Sequence, residues 1–132
     1  MKALLIIALL GIALCCDTDT IVQCAIEQLG KPYKSASFWP DSFSCSGLVH
    51  FCYLRVGIDL YPKASVQATQ GTTVSPDDYQ PGDLLFFGRN STIESIYHVA
   101  IYVGNNQYIE ATTPTVKYTD MGKKISLAKR IC

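Results

Sequence analysis

The sequence predicts an α+β fold in which N-terminal helices pack on a small antiparallel β-sheet. Two segments in the first half carry apolar residues at helical spacing, whereas segments after residue 83 have the composition and alternation of strands. Short turn signals join the strand-like segments, which favours antiparallel neighbours, because parallel strands need long crossovers. A chain of 132 residues with 48% hydrophobic composition can form one domain with a substantial core.

The N-terminal segment has the pattern of a secretory signal peptide. Lys2 precedes the apolar run 3–14, which is too short to span a bilayer, and Ala13 and Cys15 are small enough for cleavage near Cys15 or Cys16. We therefore expect residues 1–16 to be a signal peptide and residues 17–132 to be a secreted domain without stable membrane insertion. A bacterial lipid anchor is the alternative, but the small residue expected before a lipidated cysteine is missing.

Cys45 lies at the start of the second predicted helix. The first helix is expected over Thr18–Leu29, and the second has an apolar run that ends at Gly57, with Ser44 as its cap. Free N–H groups in the first helical turn favour a thiolate at Cys45, and they can hold a developing oxyanion. The alternatives are that Cys45 is a small buried hydrophobe or half of a disulfide.

His98 lies in a predicted hairpin that can supply the base a thiol nucleophile needs. Strand-like segments 96–103 and 107–112 flank a turn at 104–106. With a three-residue loop, Ala100 stands opposite Glu110, and His98 is the diagonal neighbour of Glu110 on the same face, whereas a two-residue loop puts them on opposite faces. In the first register Glu110 orients His98 toward Cys45. Glu110 can equally be a solvated edge carboxylate.

Four ordered segments resemble the NlpC-type cell-wall cysteine peptidases. The resemblance covers about residues 22 to 112, and its motifs are LGKPY (29–33), FSCSGLV (43–49), QPGDLLFF (80–87) and HVAIYVGN (98–105). It implies a papain-like α+β fold and cleavage of peptidoglycan stem peptides at γ-D-glutamyl–diamino acid bonds. The family pattern implies Cys45 as nucleophile, His98 as base and Glu110 in the third position, which is usually a His or another polar residue.

The resemblance, together with an aromatic loop that can form one wall of a substrate cleft, indicates four candidate substrate-binding residues. They are Tyr33, Trp39, Ser44 and Ser46. Tyr33 matches a family tyrosine that helps the oxyanion or the substrate. Trp39 belongs to an aromatic loop that either contacts substrate or packs beneath the loop. Ser44 replaces a common family aspartate that in some members binds the free amino end of the stem. The resemblance therefore predicts a secreted endopeptidase, with a sugar–peptide amidase or a non-catalytic muropeptide-binding domain as alternatives.

Composition and motifs limit the partners and cofactors. The formal net charge is zero, so no basic field is present to attract nucleic acid. Neither CxxC nor HExxH spacing occurs, so we expect no metal and no cofactor. The expected partner is peptidoglycan or its muropeptides, and the expected state is a monomer. His50 is expected at the surface, facing away from Cys45, and Asn90 begins a sequon that matters only in a eukaryotic host.

The six cysteines fit an oxidising compartment but leave the disulfide pairing open. Cys15 and Cys16 are expected to leave with the signal peptide, wholly or in part. If Cys45 stays free, either one more thiol is unpaired or Cys16 survives cleavage. A Cys24–Cys132 bridge would tie the first helix to the end of the chain.

Overall fold

The computed structural model describes residues 16–132, so the apolar run of the predicted signal peptide lies outside the described residues. The helices are α1 (Thr18–Glu27), α2 (Cys45–Leu54) and α3 (Ala64–Gln67). The strands are β1 (Thr72–Thr73), β2 (Leu84–Gly88), β3 (Ile96–Gly104), β4 (Gln107–Ala111), β5 (Val116–Asp120) and β6 (Leu127–Arg130). They form one antiparallel sheet in the order β1-β6-β2-β3-β4-β5, which confirms the α+β class. Within residues 16–132, no helix has the length and apolar character needed to cross a membrane.

The helices begin where the capping residues predict. The Asp17 side chain accepts hydrogen bonds from the first-turn N–H groups of α1, and Ser44 Oγ accepts one from the Gly47 N–H at 3.0 Å. A Cβ atom at position 47 would collide with the carbonyl oxygen of Ser37, so only glycine lets the preceding loop lie against the start of α2. That contact fixes the place where α2 begins, and with it the position of Cys45.

One face of the sheet carries the helices and the main core. Buried apolar residues of β2, β3 and β4 pack there against α1 and α2. The opposite face carries a smaller apolar core that includes Phe87 and Tyr108. Residues 121–126, which we call the crossing loop, run over this second face, and Met121 and Ile125 pack into its core. The main core fixes α2 relative to β3, and these elements carry Cys45 and His98.

The β3–β4 hairpin has the predicted register but not the predicted loop. Ile101 pairs with Ile109, so Ala100 stands opposite Glu110. The turn itself has two residues, Asn105 and Asn106, both with positive φ as a type I′ turn requires. A β-bulge at Val103 adds the residue that restores the predicted pairing. The predicted three-residue loop is therefore wrong, because no residue pattern in the hairpin indicates the bulge.

The disulfides differ from the predicted bridge. Cys16 pairs with Cys132, and Cys24 pairs with Cys52, so the proposed Cys24–Cys132 bond is wrong. Cys24 and Cys52 are both completely buried where α1 packs against α2, and this approach of the helices decides the pairing. Among residues 16–132, Cys45 is the one free cysteine.

Asp83 holds the turn before β2. Its carboxylate is buried, accepts the Gln80 N–H at 2.8 Å, and pairs with Arg130 through Nε and Nη2 at 2.9 and 2.8 Å. These bonds join the start of β2 to the end of β6.

Asp83→Asn is expected to lower the free energy of unfolding by about 1–3 kcal/mol, because it leaves a partly buried guanidinium short of its counter-charge. Asp78→Asn is the matched control, since Asp78 is exposed and lies 3.5 Å from the same Arg130. Its effect should stay below about 0.5 kcal/mol. Urea unfolding measures both variants, and equal losses would contradict a structural role specific to Asp83.

Candidate active site

The Cys45 thiol lies at the first position of α2, half-buried beside β3. Backbone N–H groups at this end of a helix lack intrahelical acceptors, and the helix dipole is positive here. The His98 imidazole and the N–H groups of Val99 and Ser46 lie close enough to the sulfur to favour its charged form. Cys45 therefore lies in the predicted part of the helix, beside the predicted histidine.

His98 lies between Cys45 and Glu110. Its Nε2 atom is 2.6 Å from Oε1 of Glu110, so Nδ1 is the ring nitrogen left for the thiol. Thr119 Oγ1 on β5 donates to Oε2 of Glu110 at 2.6 Å, so both carboxylate oxygens have partners. The Phe87 ring packs against the imidazole with the ring centroids 5.3 Å apart. These contacts hold the imidazole in one orientation.

The pKa values of the three side chains favour an ion pair. Burial raises the pKa of Cys45. The hydrogen bond and charge of His98, together with the N–H groups of Val99 and Ser46, outweigh burial and bring this pKa below its ordinary value. Burial lowers the pKa of His98, but bonds to Cys45 and Glu110 outweigh it and raise this pKa to about 9. Burial opposes ionisation of Glu110, yet His98 and Thr119 bring its pKa below the usual value. All three shifts favour the charged forms, which are a thiolate, an imidazolium and a carboxylate.

Cys45 lies at the centre of an open groove formed by two cavities of about 280 Å³ each. The first, which we call the His98-side cavity, is lined by Tyr33, Cys45, Tyr97, His98, Glu110, Ala111, Thr112, Thr113 and Lys123. The second, which we call the helix-side cavity, shares Tyr33, Cys45 and Tyr97 and continues past Ser44, Ser46 and the start of α3. A larger cavity of about 520 Å³ beside β6 has no Cys or His in its lining. The groove is therefore the place for chemistry at the thiol.

Cys45 should react with iodoacetamide below neutral pH about ten-fold or more faster than an ordinary thiol, because its thiolate persists to lower pH. Mass spectrometry after brief labelling locates the adduct. The control is the reduced, unfolded chain, in which every cysteine titrates normally. If labelling of Cys45 in the folded protein rises with pH only near about 8.5, as for a free cysteine, the ion pair is absent.

A family model for the NlpC/P60 family matches residues 30–131, which is most of the chain. The chain belongs to the NlpC/P60 family. The resemblance inferred from the four sequence motifs is thereby confirmed.

Two curated NlpC/P60 relatives are larger proteins. The "Probable endopeptidase p60" of Listeria seeligeri is 40% identical over 101 residues, which cover 76% of this chain and 19% of the relative. The "Bifunctional muramidase/DL-endopeptidase CwlT" of Bacillus subtilis is 33% identical over 104 residues, covering 78% and 32% respectively. The chain therefore spans between about a fifth and a third of these relatives' lengths.

A solved NlpC/P60 structure has the same fold. The NlpC/p60 domain of the peptidoglycan hydrolase SagA superposes with a TM-score of 0.77 at 32% identity, covering 87% of this chain and 99% of that one. The papain-like fold expected of an NlpC/P60 domain is thereby confirmed.

Not all of the other predicted site residues lie at the groove. Tyr33, Ser44 and Ser46 line the groove. Trp39 is 65% exposed and lines neither cavity, so the structure does not bring it to the site. His50 lies outside the groove as predicted, but it is not a free surface side chain. Its Nδ1 lies 2.7 Å from the Leu60 carbonyl oxygen, and its ring packs edge-on against Phe38.

Sequence reasoning missed the second strand neighbour of Glu110. Thr119 stands opposite Tyr108 in the β4–β5 register, which brings its hydroxyl to the free oxygen of Glu110. Only the pairing register of β5 on β4 shows which β4 side chain Thr119 meets. Lys123 and Tyr97 were missed because a loop lysine and an exposed tyrosine carry no local signal.

Proposed function

We propose that this NlpC/P60 domain is a secreted cysteine endopeptidase. Its proposed substrates are peptidoglycan stem peptides, which it cuts at γ-D-glutamyl–diamino acid bonds. The observation that carries the proposal is His98, held between the Cys45 thiol and the Glu110 carboxylate at the centre of an open groove. This is the nucleophile, base and orienting group of a cysteine hydrolase.

Acylation begins with the thiolate of Cys45. Its sulfur attacks the γ-carbonyl carbon of the D-glutamyl residue, and the carbonyl oxygen takes the negative charge. The start of α2, with its free N–H groups, and Tyr33 line the groove where this oxyanion forms. His98 then gives its proton to the leaving amine, the C–N bond breaks, and a thioester remains on Cys45.

Deacylation uses the same residues in reverse. Neutral His98 takes a proton from water, the resulting hydroxide attacks the thioester carbonyl, and the C–S bond breaks. The product leaves as a carboxylic acid, which loses its proton to solvent. The thiolate and the imidazolium are restored together. Glu110 keeps its proton state throughout and stabilises the imidazolium through its 2.6 Å bond.

The relatives support the substrate class. Their names include an endopeptidase, a DL-endopeptidase and a peptidoglycan hydrolase. A groove that continues on both sides of the thiol suits a peptide bound across the scissile bond, as an endopeptidase requires.

The disulfides support the secreted location. Cys16–Cys132 and Cys24–Cys52 are bonds of a kind that persists in oxidising compartments. Cleavage of the predicted signal peptide between Cys15 and Cys16 would leave Cys16 in the mature chain for its bond to Cys132.

Digestion of purified peptidoglycan and defined muropeptides tests the proposal. We expect the wild-type protein to release fragments that end in γ-D-glutamate and fragments that begin with the diamino acid, identified by mass spectrometry. Cys45→Ala should bind the muropeptides and release neither product.

Two other outcomes would overturn the proposal. Stems released intact from the sugar would identify an amidase. Binding without turnover by both wild type and Cys45→Ala would identify a non-catalytic muropeptide-binding domain.

A further inference from the structure

The proposed mechanism assigns each half of the substrate to one cavity. His98 protonates the leaving amine, so the residue that carries this amine lies on the His98 side of the thiol. The acyl half then lies in the helix-side cavity, along Ser44 and Ser46. The side chains of the His98-side cavity therefore contact the residue that follows the scissile bond.

Lys123 reaches this cavity because the crossing loop is fixed at both ends. At its start, the Met121 N–H bonds to the Asn106 carbonyl oxygen at 2.9 Å. At its end, the Ser126 N–H bonds to the Phe86 carbonyl oxygen at 2.8 Å. The Ser126 hydroxyl also donates to the Gly88 carbonyl oxygen at 3.0 Å. The loop thus holds Lys123 over the sheet face that carries His98 and Glu110.

The ammonium group of Lys123 has no carboxylate partner within residues 16–132. Glu110 is the nearby candidate, but its two oxygens already bond to His98 and Thr119. The charged groups that share the cavity with Lys123 are Cys45, His98 and Glu110, and these bind one another. Lys123 is therefore the cation of this cavity that is free to bind an anionic ligand.

We propose that Lys123 is a specificity-determining residue that binds a free carboxylate on the leaving-side residue of the substrate. The inference rests on the proposed function, which places a diamino acid there. That residue can offer a main-chain carboxylate when it ends the stem, or a side-chain carboxylate when it is a diaminopimelate rather than a lysine. Both are planar anions that an ammonium group attracts over a few ångströms.

Three matched peptides separate the two sources of the carboxylate. All begin with L-Ala-γ-D-Glu and end in lysine amide, in lysine, or in diaminopimelate whose main-chain carboxyl is amidated. The first has no carboxylate on the leaving residue, the second has the main-chain one, and the third has the side-chain one. The measurement is kcat and KM for wild type, Lys123→Gln and Lys124→Gln.

We expect the wild-type protein to prefer at least one carboxylate-bearing peptide over lysine amide by about three- to ten-fold in kcat/KM, mainly through KM, as for a partly solvated ion pair. Lys123→Gln should abolish the preference by raising KM for the carboxylate-bearing peptides to the KM for lysine amide. Lys124→Gln should retain it, since Lys124 is exposed like Lys123 but does not line the cavity. Added salt should weaken the preference of the wild type.

Binding to the Cys45→Ala protein makes the inference testable without turnover. Calorimetry with the same peptides should give the same preference, and Cys45→Ala/Lys123→Gln should lose it. If the wild-type protein cleaves none of the peptides but Cys45→Ala shows the preference, the proposed function fails and the role of Lys123 stands. A preference that survives Lys123→Gln, or that is absent from both proteins, overturns the role of Lys123.

Discussion

His98→Ala should lower kcat/KM by about 10³-fold or more, because one residue both stabilises the thiolate and protonates the leaving amine. The substitution should also return the pKa of Cys45 to or above its ordinary value. Burial raises that pKa, and the bond and charge of His98 no longer oppose it. Steady-state kinetics on a defined muropeptide measures the first effect, and iodoacetamide labelling below neutral pH measures the second.

His50→Ala is the matched control for this experiment, since His50 is the other histidine of the chain. It should retain turnover and normal labelling of Cys45. It should lose about 1 kcal/mol of stability, because the Leu60 carbonyl oxygen loses its partner. Equal losses of turnover in the two variants would mean that the catalytic histidine is wrongly assigned.

Glu110→Gln should lower turnover about ten- to a thousand-fold, less than His98→Ala, because an orienting residue assists the reaction without breaking the bond. Glutamine keeps an oxygen for the imidazole but removes the negative charge. Cys45 and Glu110 together raise the pKa of His98 to about 9, so loss of the Glu110 charge should lower this pKa. The imidazolium then deprotonates earlier, and the alkaline limb of the pH–rate profile should move to lower pH.

Thr119→Val supplies the graded comparison for Glu110. It removes the hydrogen bond to Oε2 and keeps the carboxylate, so its effect should be smaller and its pH profile nearly unchanged. An unchanged rate in Glu110→Ala would show that the carboxylate has no part in the reaction.

The sequence was sufficient for the parts of the site that depend on local rules. The Ser44 cap predicts Cys45 in the first turn of α2, and strand alternation with a three-residue loop predicts His98 and Glu110 on one face. In the structure the unpaired Val103 gives the same register in place of that loop. These features follow from helix capping and from the two-residue period of a strand. Neither requires knowledge of how distant segments approach each other.

The parts that failed depend on distant segments. The partner of Cys24 is decided by the packing of α1 on α2. The sequence does not show which cysteine this packing brings close to Cys24. The position of Trp39 depends on the path of a long loop, which left it exposed and away from the groove. The sequence predicts His50 at the surface because its partner, the Leu60 carbonyl oxygen, lies in a loop whose path no sequence pattern indicates.

The bulge at Val103 sets the pairing of the strand that carries Glu110. With the two-residue turn at Asn105 and Asn106 and no bulge, Ile101 would stand opposite Glu110, and the carboxylate would face away from the imidazole. Because Val103 is left unpaired, Ala100 stands opposite Glu110 instead. Deleting Val103 would keep this pairing, since Tyr102 would still stand opposite Tyr108. The unpaired residue, rather than the turn, therefore aligns the carboxylate with the base.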